Sequence, residues 1–115
     1  MKTEKIRGLL GLARRARTVT IGSRETRSAL RRGEVRLVLL TSDGSARDRE
    51  RMGRLAEESR VPSRTIATRE ALGSWVGRAP VAVLGILDPH IARAIRDGVD
   101  LEGVSRTREN GGEEK

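Results

Sequence analysis

The segment "IGSRETRSALRRGEVRLVLL", residues Ile21–Leu40, holds a glycine turn, an arginine-rich helical pattern and an apolar run in direct succession. A predicted helix begins at Gly22 or Ser23 and extends to the stop signal Gly33. The run Val35–Leu40 is nearly all apolar, which is typical of a central strand covered by helices on both faces. The segment therefore predicts an exposed helix that leads into a buried strand.

Alternating helix and strand patterns occupy the chain on both sides of this segment. Apolar spacing predicts a helix at about Thr3–Arg15, and the β-branched run Thr18–Ile21 predicts an edge strand. Further along lie a helix that ends near Arg60, a strand at Thr65–Ala67, a brief helix in "REALGSWVG", a second central strand at Pro80–Leu87 and a last helix that starts at Asp88 and Pro89. This order predicts the α/β class, as a three-layer α-β-α sandwich around a four-stranded mixed sheet.

Length and composition indicate one small domain with an aliphatic core. The chain has 115 residues, and Trp75 is its one aromatic residue. A chain of this length is too short to build two adequate cores. The end "SRTRENGGEEK", residues 105–115, is polar and glycine-bearing, so we expect a disordered tail after a single domain at residues 1–104.

The charge of the chain favours polyanionic partners. The net charge is +8, and residues 1–54 hold 15 basic and 6 acidic groups whereas residues 55–115 hold 9 and 10. Such a basic surface attracts nucleic acid above other ligands. Cysteine is absent, which excludes disulfides and thiolate metal sites, and no apolar run has the length of a membrane span. We expect a cytoplasmic protein that lies outside membranes.

The predicted second helix is amphipathic, with an arginine-rich polar stripe. Four residues share that stripe by helical spacing: Arg24, Arg27, Ser28 and Arg31. Amides at a helix start attract phosphate, and an arginine can read guanine through two parallel hydrogen bonds. Glu25 can accept from a base amino or imino group. The alternative is a solvated helix face on which Glu25 only complements the helix dipole.

Successive blocks of the chain resemble the kink-turn RNA-binding superfamily of ribosomal proteins, of the archaeal L-seven-Ae and eukaryotic L-thirty-e type. The short bacterial YlxQ-like members are the most similar. The resemblance rests on "LLGLARRARTVTIG" followed by a basic helix, "RLVLLTSD", "VPSRTIATREALGSWVG" and "PVAVLGILD", which together cover roughly Ile6–Ile95. It implies the same sandwich fold and binding of a kinked RNA stem, without catalysis.

The resemblance also implies which residues contact the RNA. The family's turn into its second helix reads approximately Gly-x-Asn-Glu-x-x-Lys and meets the sheared G·A pairs. Here Gly22 and Glu25 match. Arg24 stands where Asn is usual, and Ser28 stands where Lys is usual. A second contact, a glycine-broken loop against a flipped-out nucleotide, corresponds to "LGSWVGRAP", residues Leu72–Pro80.

The candidate RNA-binding residues come from these two segments and from neighbouring polar positions. They are Gly22, Ser23, Arg24, Glu25, Arg27, Ser28, Arg31, Arg36, Asp43, Gly73, Trp75, Val76, Gly77, Arg78 and Ala79. Arg14, Arg15 and Arg17 at the end of the first helix complete the predicted surface. A tryptophan can stack on a base, but a lone Trp on a short helix also suits the core. Asp43 suits a loop cap better than a phosphate acceptor.

Catalysis is not expected from this sequence. His90 is the single histidine and has no Cys partner, and "GSWVGRAPVAVLG" lacks the Lys-Ser/Thr of a phosphate-binding loop. The sequence therefore predicts a monomeric, non-catalytic protein without metal or cofactor. Its partner is a structured RNA, with ribosomal RNA among the candidates. The alternative is a protein-interaction or nonspecific nucleic-acid-binding module of the same fold.

Overall fold

The computed structural model describes residues 2–102 of the chain. The predicted tail and the end of the predicted domain lie outside the described residues. The elements, in chain order, are α1 (Lys2–Arg15), β1 (Val19–Ile21), α2 (Ser23–Arg31), β2 (Leu37–Thr41), α3 (Ala46–Glu58), β3 (Ser63–Ala67), α4 (Arg69–Trp75), β4 (Val83–Ile86) and α5 (Pro89–Glu102).

The four strands form one mixed sheet in the order β1-β4-β2-β3. Strand β4 runs antiparallel to both of its neighbours, and β2 pairs with β3 in parallel. Strands β1, β2 and β3 therefore finish at one end of the sheet, which is also where β4 begins. We call this the site end, and the other the opposite end. The predictions of an edge strand β1 and of central strands β2 and β4 are confirmed.

Helices cover both faces of the sheet, as the apolar run in β2 predicts. Leu37 and Leu39 pack in a cluster with residues of α1, α4 and α5. Val38 and Leu40 point the other way and pack with residues of α2 and α3. Because successive side chains of a strand alternate between faces, this buried run requires a helix layer on each side. The three-layer α-β-α prediction is confirmed.

Several predicted element boundaries differ from the structure. Strand β2 starts at Leu37, two residues later than predicted, and the other central strand covers Val83–Ile86 only. Helix α4 continues through Gly73, which the sequence pattern treats as a break. The apolar spacing of the last helix predicts that Ile91, Ala94 and Ile95 face the core; Ile91 and Ile95 are buried, whereas Ala94 is only half-buried. Residues next to a true strand are often apolar as well, which makes the ends hard to read from sequence.

A buried polar contact fixes α2 on the sheet. The hydroxyls of Thr20 in β1 and Thr26 in α2 lie 2.9 Å apart and form a hydrogen bond. Both threonines are buried over Gly85 of β4. A Cβ on Gly85 would overlap the Thr20 hydroxyl and lie 3.1 Å from Thr26 Cγ2. Glycine at this point of β4 therefore lets the start of α2 pack directly on the sheet.

Candidate nucleic-acid interface

Gly22 places the start of α2 at the site end of the sheet. It has φ 95° and ψ 161°, a conformation that is open to glycine and strained for other residues. Its amide donates to the carbonyl of Val83, the first residue of β4, over 2.8 Å. This hydrogen bond joins the turn before α2 to the point where the α4–β4 loop enters the sheet.

Glu25 links the first turn of α2 to the backbone of β1 by a hydrogen bond. The amide of Ile21 donates to its Oε1 over 2.7 Å, in a variant of the capping box. Within the described part of the chain, no side chain accepts from the amides of the first turn. One oxygen of Glu25 is thus engaged by the backbone, while the carboxylate remains exposed beside those outward amides. The prediction that Glu25 contacts a base applies to its free oxygen.

The polar residues of α2 divide into two rows. Arg24 and Ser28 are exposed, four residues apart. Arg27 and Arg31 instead line a groove between α2 and α3 together with Ser23. The single stripe predicted from sequence is therefore two adjacent rows, one outward and one facing α3.

Ser28 is hydrogen-bonded to the guanidinium of a neighbouring residue, Arg32. Arg32 donates from NH1 to Ser28 Oγ over 2.8 Å and from NH2 to Glu34 Oε1 over 3.1 Å. The hydrogen bond to Glu34, followed by its negative charge, raises the pKa of Arg32 above its ordinary value. The guanidinium of Arg32 therefore lies beside the side chain of Ser28.

The groove between α2 and α3 contains further arginines. Arg51 and Arg54 of α3 line it opposite the α2 row. Asp48 and Glu58 lie in the same groove, so its charge is mixed. Arg51 and Arg54 were not among the predicted residues; they lie three residues apart and so share one side of α3. Leu55 lies on the same side and packs against the core between the sheet, α2 and α3, and this apolar residue is the sequence signal for that side.

The α4–β4 loop folds back closely on its own helix. A Cβ on Gly73 would overlap the carbonyl oxygen of Ala79 and lie 2.8 Å from its carbonyl carbon. Gly77 has φ 69°, and the Arg14 guanidinium of α1 lies against it, 3.1 Å from the position of a Cβ. Gly77, Arg78, Ala79 and Pro80 are exposed. The loop therefore presents a glycine-containing edge with two arginines beside it.

Three residues of this segment have other positions than predicted. Val76 is 1% exposed and belongs to the core under α1 and α5, so its side chain is not available to RNA. Gly73 is buried inside α4, where it permits the approach of Ala79 and does not reach the surface. Trp75 is half-buried and packs against the same core cluster, which favours the core alternative over base stacking.

Asp43 holds the β2–α3 loop against α4. The amide of Arg69 donates to Asp43 Oδ1 over 2.8 Å, and the Arg69 guanidinium lies 3.9 Å from Oδ2. Arg49 donates to the carbonyl of Gly44 in the same loop over 2.9 Å. Ser45 caps α3 by accepting from the amide of Asp48. The structure therefore supports the loop-capping interpretation of Asp43, at the site end of the sheet.

Arg36 does not lie with the other candidates. Its amide donates to the carbonyl of Ile86, the last residue of β4, over 2.7 Å. Gly22 bonds to the first residue of β4, Val83. Three residues of strand correspond to about 10 Å, so Arg36 is at the opposite end of the sheet. The start of α2 and the loop that leads into β4 lie at the same end of the sheet, whereas Arg36 lies at the opposite end.

The profile of the ribosomal protein L7Ae/L30e/S12e/Gadd45 family matches residues 4–95. The chain belongs to this family. Within it, the chain is 31% identical over 87 residues to the RNA-binding protein YlxQ of Bacillus subtilis (strain 168), which covers 76% of this chain and 87% of that protein. The family resemblance predicted from the sequence blocks is confirmed.

Solved structures show the same fold. A protein of unknown function from Bacillus halodurans C superposes with a TM-score of 0.81 at 29% identity, covering 84% of this chain and 97% of that one. The Giardia lamblia 15.5kD RNA binding protein superposes with a TM-score of 0.70 at 18% identity, covering 87% and 86%. The second match, at this low identity, supports the architecture alone.

Residues 2–102 contain neither a metal-binding cluster nor a helix that could span a membrane. No group of three or more His, Cys, Asp and Glu side chains in this part of the chain is arranged to hold a metal ion. None of the helices described here is both long enough and apolar enough to cross a bilayer.

Proposed function

We propose that this protein is a non-catalytic, cytoplasmic RNA-binding protein that recognises a structured, kink-turn-like RNA as a monomer. The binding surface consists of the first turns of α2, from Gly22 to Ser28, and the exposed loop Gly77–Pro80. The observation that carries the proposal is the hydrogen bond from the Gly22 amide to the Val83 carbonyl. It fixes the start of α2 at the end of the sheet where the α4–β4 loop enters β4, which supports a shared binding surface.

The chemistry of this surface suits a bent RNA stem. The outward amides of the first turn, together with the exposed Arg24, form a positive anion-binding helix start. Arg24 has the geometry to form two parallel hydrogen bonds with a guanine edge, and the free oxygen of Glu25 can accept from a base. Membership of the family and the similarity to a protein named for RNA binding support the same interpretation.

The departures from the family pattern are compatible with binding. Where the family usually has lysine, Ser28 accepts a hydrogen bond from Arg32, whose guanidinium also pairs with Glu34; we propose that this guanidinium takes the role of the ammonium. Where the family usually has asparagine, Arg24 provides two donors. An arginine at each place favours phosphate and guanine contacts, since guanidinium groups bind both in a forked geometry.

Titration of RNA with single variants tests the proposal. Arg24→Ala and Arg32→Ala are compared with Arg47→Ala, an exposed arginine of α3 outside this surface. The ligands are a kink-turn stem and the same stem with its sheared G·A pairs replaced by Watson–Crick pairs. We expect Arg24→Ala to weaken kink-turn binding by about 1–3 kcal/mol, and Arg47→Ala to leave it nearly unchanged.

The comparison of the two stems separates specific from electrostatic binding. Equal affinity for both stems, with all three variants weakened alike, would indicate the nonspecific alternative. Unchanged kink-turn affinity in Arg24→Ala and Arg32→Ala would show that α2 does not recognise the RNA. Crosslinking in cells followed by sequencing of the attached RNA identifies the target, with ribosomal RNA as one expected class.

A further inference from the structure

A second basic surface lies at the opposite end of the sheet. It surrounds a depression of about 310 Å³ that is lined by Arg36, Pro89, His90, Ala92, Arg93 and Arg96. His90, Arg93 and Arg96 follow one another at intervals of three residues along the start of α5, so they share one side of that helix. Arg36 joins them from the start of β2 because its amide bonds to Ile86, just before α5. We call this set of four residues the α5 surface.

Carboxylates do not neutralise the α5 surface. None of the six residues that line the depression is acidic. The nearby Asp88 uses its Oδ1 to accept from the amides of His90 and Ile91, and so closes the first turn of α5. Arg96 approaches Asp97 only at 3.9 Å, with both groups solvent-accessible. Such an exposed pair contributes little binding energy.

Two of the three arginines of the α5 surface have no partner among the described residues. Within residues 2–102, neither Arg36 nor Arg93 forms a side-chain hydrogen bond or an ion pair. By contrast, Arg64 pairs with Asp100, and the groove between α2 and α3 contains Asp48 and Glu58. Arg36 and Arg93 have no counter-charge and Arg96 has only the distant Asp97, so the three like charges repel one another, and an external anion relieves that repulsion.

We propose that the α5 surface binds the phosphate backbone of an RNA segment, and that the protein thereby holds two RNA segments at once. The depression has the room of about ten water molecules, enough for a phosphodiester group. Its apolar lining is limited to Pro89 and Ala92, which offers no large apolar anchor for a protein partner. Guanidinium groups bind phosphate through paired hydrogen bonds. The contact is therefore electrostatic and independent of sequence.

The proposed binding surface of Gly22–Ser28 and Gly77–Pro80 is called the α2 surface. The two-segment arrangement rests on its proposed function, but the α5 contact does not. The α5 surface and the α2 surface lie at opposite ends of β4, so a kinked stem at the site end leaves the α5 surface accessible. A second helical arm of the same RNA, or a separate RNA strand, can occupy it. The protein then links two RNA segments in addition to recognising the kinked one.

The test uses the full chain saturated with an unlabelled kink-turn stem, to which a short, straight, fluorescent RNA duplex is added. Binding of the duplex is followed by anisotropy between about 50 and 200 mM salt. The variant R36Q/R93Q/R96Q removes three charges from the α5 surface. The matched control R7Q/R47Q/R60Q removes three charges from exposed positions outside both surfaces.

We expect the saturated wild-type protein to bind the duplex, and R36Q/R93Q/R96Q to bind it at least about tenfold more weakly, with a salt slope smaller by about 2 to 3. The control should change affinity by much less than the α5 variant. Equal losses in both variants, or no binding of the duplex to the saturated wild-type protein, overturn the proposal. Circular dichroism verifies that each variant is folded.

A second arm separates this proposal from the proposed function. Arg24→Ala/Arg27→Ala serves as a background in which the α2 surface is weakened, and the straight duplex is titrated without any kink-turn RNA. If the α5 surface binds RNA, adding R36Q/R93Q/R96Q to this background still lowers duplex affinity, even if the kink-turn stem never binds. If the addition has no effect, the α5 surface does not bind RNA.

Discussion

Gly73 is the residue on which the position of the α4–β4 loop depends most directly. It lies inside α4, where alanine is ordinarily preferred to glycine by about 1 kcal/mol. A Cβ at this position would overlap the carbonyl oxygen of Ala79 and lie 2.8 Å from the carbonyl carbon. Carbon atoms in contact are normally about 3.5–4.0 Å apart, so the loop backbone must retreat by at least about 0.7 Å. We therefore expect Gly73→Ala to destabilise the protein.

The size of the effect follows from two opposing contributions. Overpacking of this kind costs about 1–3 kcal/mol, and the upper part of that range applies because backbone atoms cannot rotate away as a side chain can. Subtracting the gain of about 1 kcal/mol in helix propensity leaves a net loss of about 2 kcal/mol. For a domain of this length that loss corresponds to a fall in Tm of about 8–16 °C.

Gly53→Ala is the matched control. Gly53 also lies inside a helix, α3, but a Cβ there has no neighbouring atom within 4 Å. The propensity gain is then unopposed, and we expect the free energy of unfolding to rise by about 1 kcal/mol. Urea unfolding followed by circular dichroism measures both variants. Equal or greater stability in Gly73→Ala would refute the close-approach argument, and a destabilised Gly73→Ala that keeps full RNA affinity would exclude the loop from the binding surface.

Three further predictions concern the helix cap, an ion pair and the α2 surface. Asp88→Ala removes the acceptor for the amides of His90 and Ile91, so the free energy of unfolding should fall by about 1 kcal/mol in urea titrations; no change would mean that water replaces the cap. Arg64→Gln breaks a partly buried, two-point pair with Asp100 that raises the Arg64 pKa, and should cost about 1 kcal/mol at low salt and less at about 1 M salt; a loss that is independent of salt would contradict an electrostatic origin. Ser28→Lys adds an exposed ammonium beside Arg32 and should raise kink-turn RNA affinity in anisotropy titrations with little change in Tm; unchanged affinity would indicate that Arg32 already supplies the cation.

The fold could be predicted from the sequence because its main signals are local and redundant. The run Leu37–Leu40 is apolar at every position, and this pattern alone requires a helix layer on each face. Gly33 and the pair Asp88–Pro89 mark helix ends by their backbone and capping chemistry. The element order could be derived from such signals. The first residue of β2 could not, because Val35 is apolar and precedes the strand, so its sequence pattern is the same as that of a strand residue.

The candidate site was predicted less completely, since its geometry depends on contacts between distant residues. Nothing in the local sequence reveals that Arg36 pairs with the far end of β4, or that Val76 points into the core. Helical spacing suggested one stripe on α2, but the position of α3 assigns Arg27 and Arg31 to a groove. Arg32 was overlooked because its contact with Ser28 depends on a rotamer, although the four-residue spacing permits it.

The charge count along the chain underestimates the basic surface of its second half. Residues 55–115 carry 9 basic and 10 acidic groups, which suggests a neutral region. In the fold, however, Asp100 is paired with Arg64, and Asp88 uses one oxygen to cap the first turn of α5 and does not line the depression. The fold also brings together arginines that are distant in sequence, as Arg36 and Arg93 line one depression. We infer that the distribution of cations between the two ends of the sheet, rather than net charge, decides how many RNA segments this protein can hold.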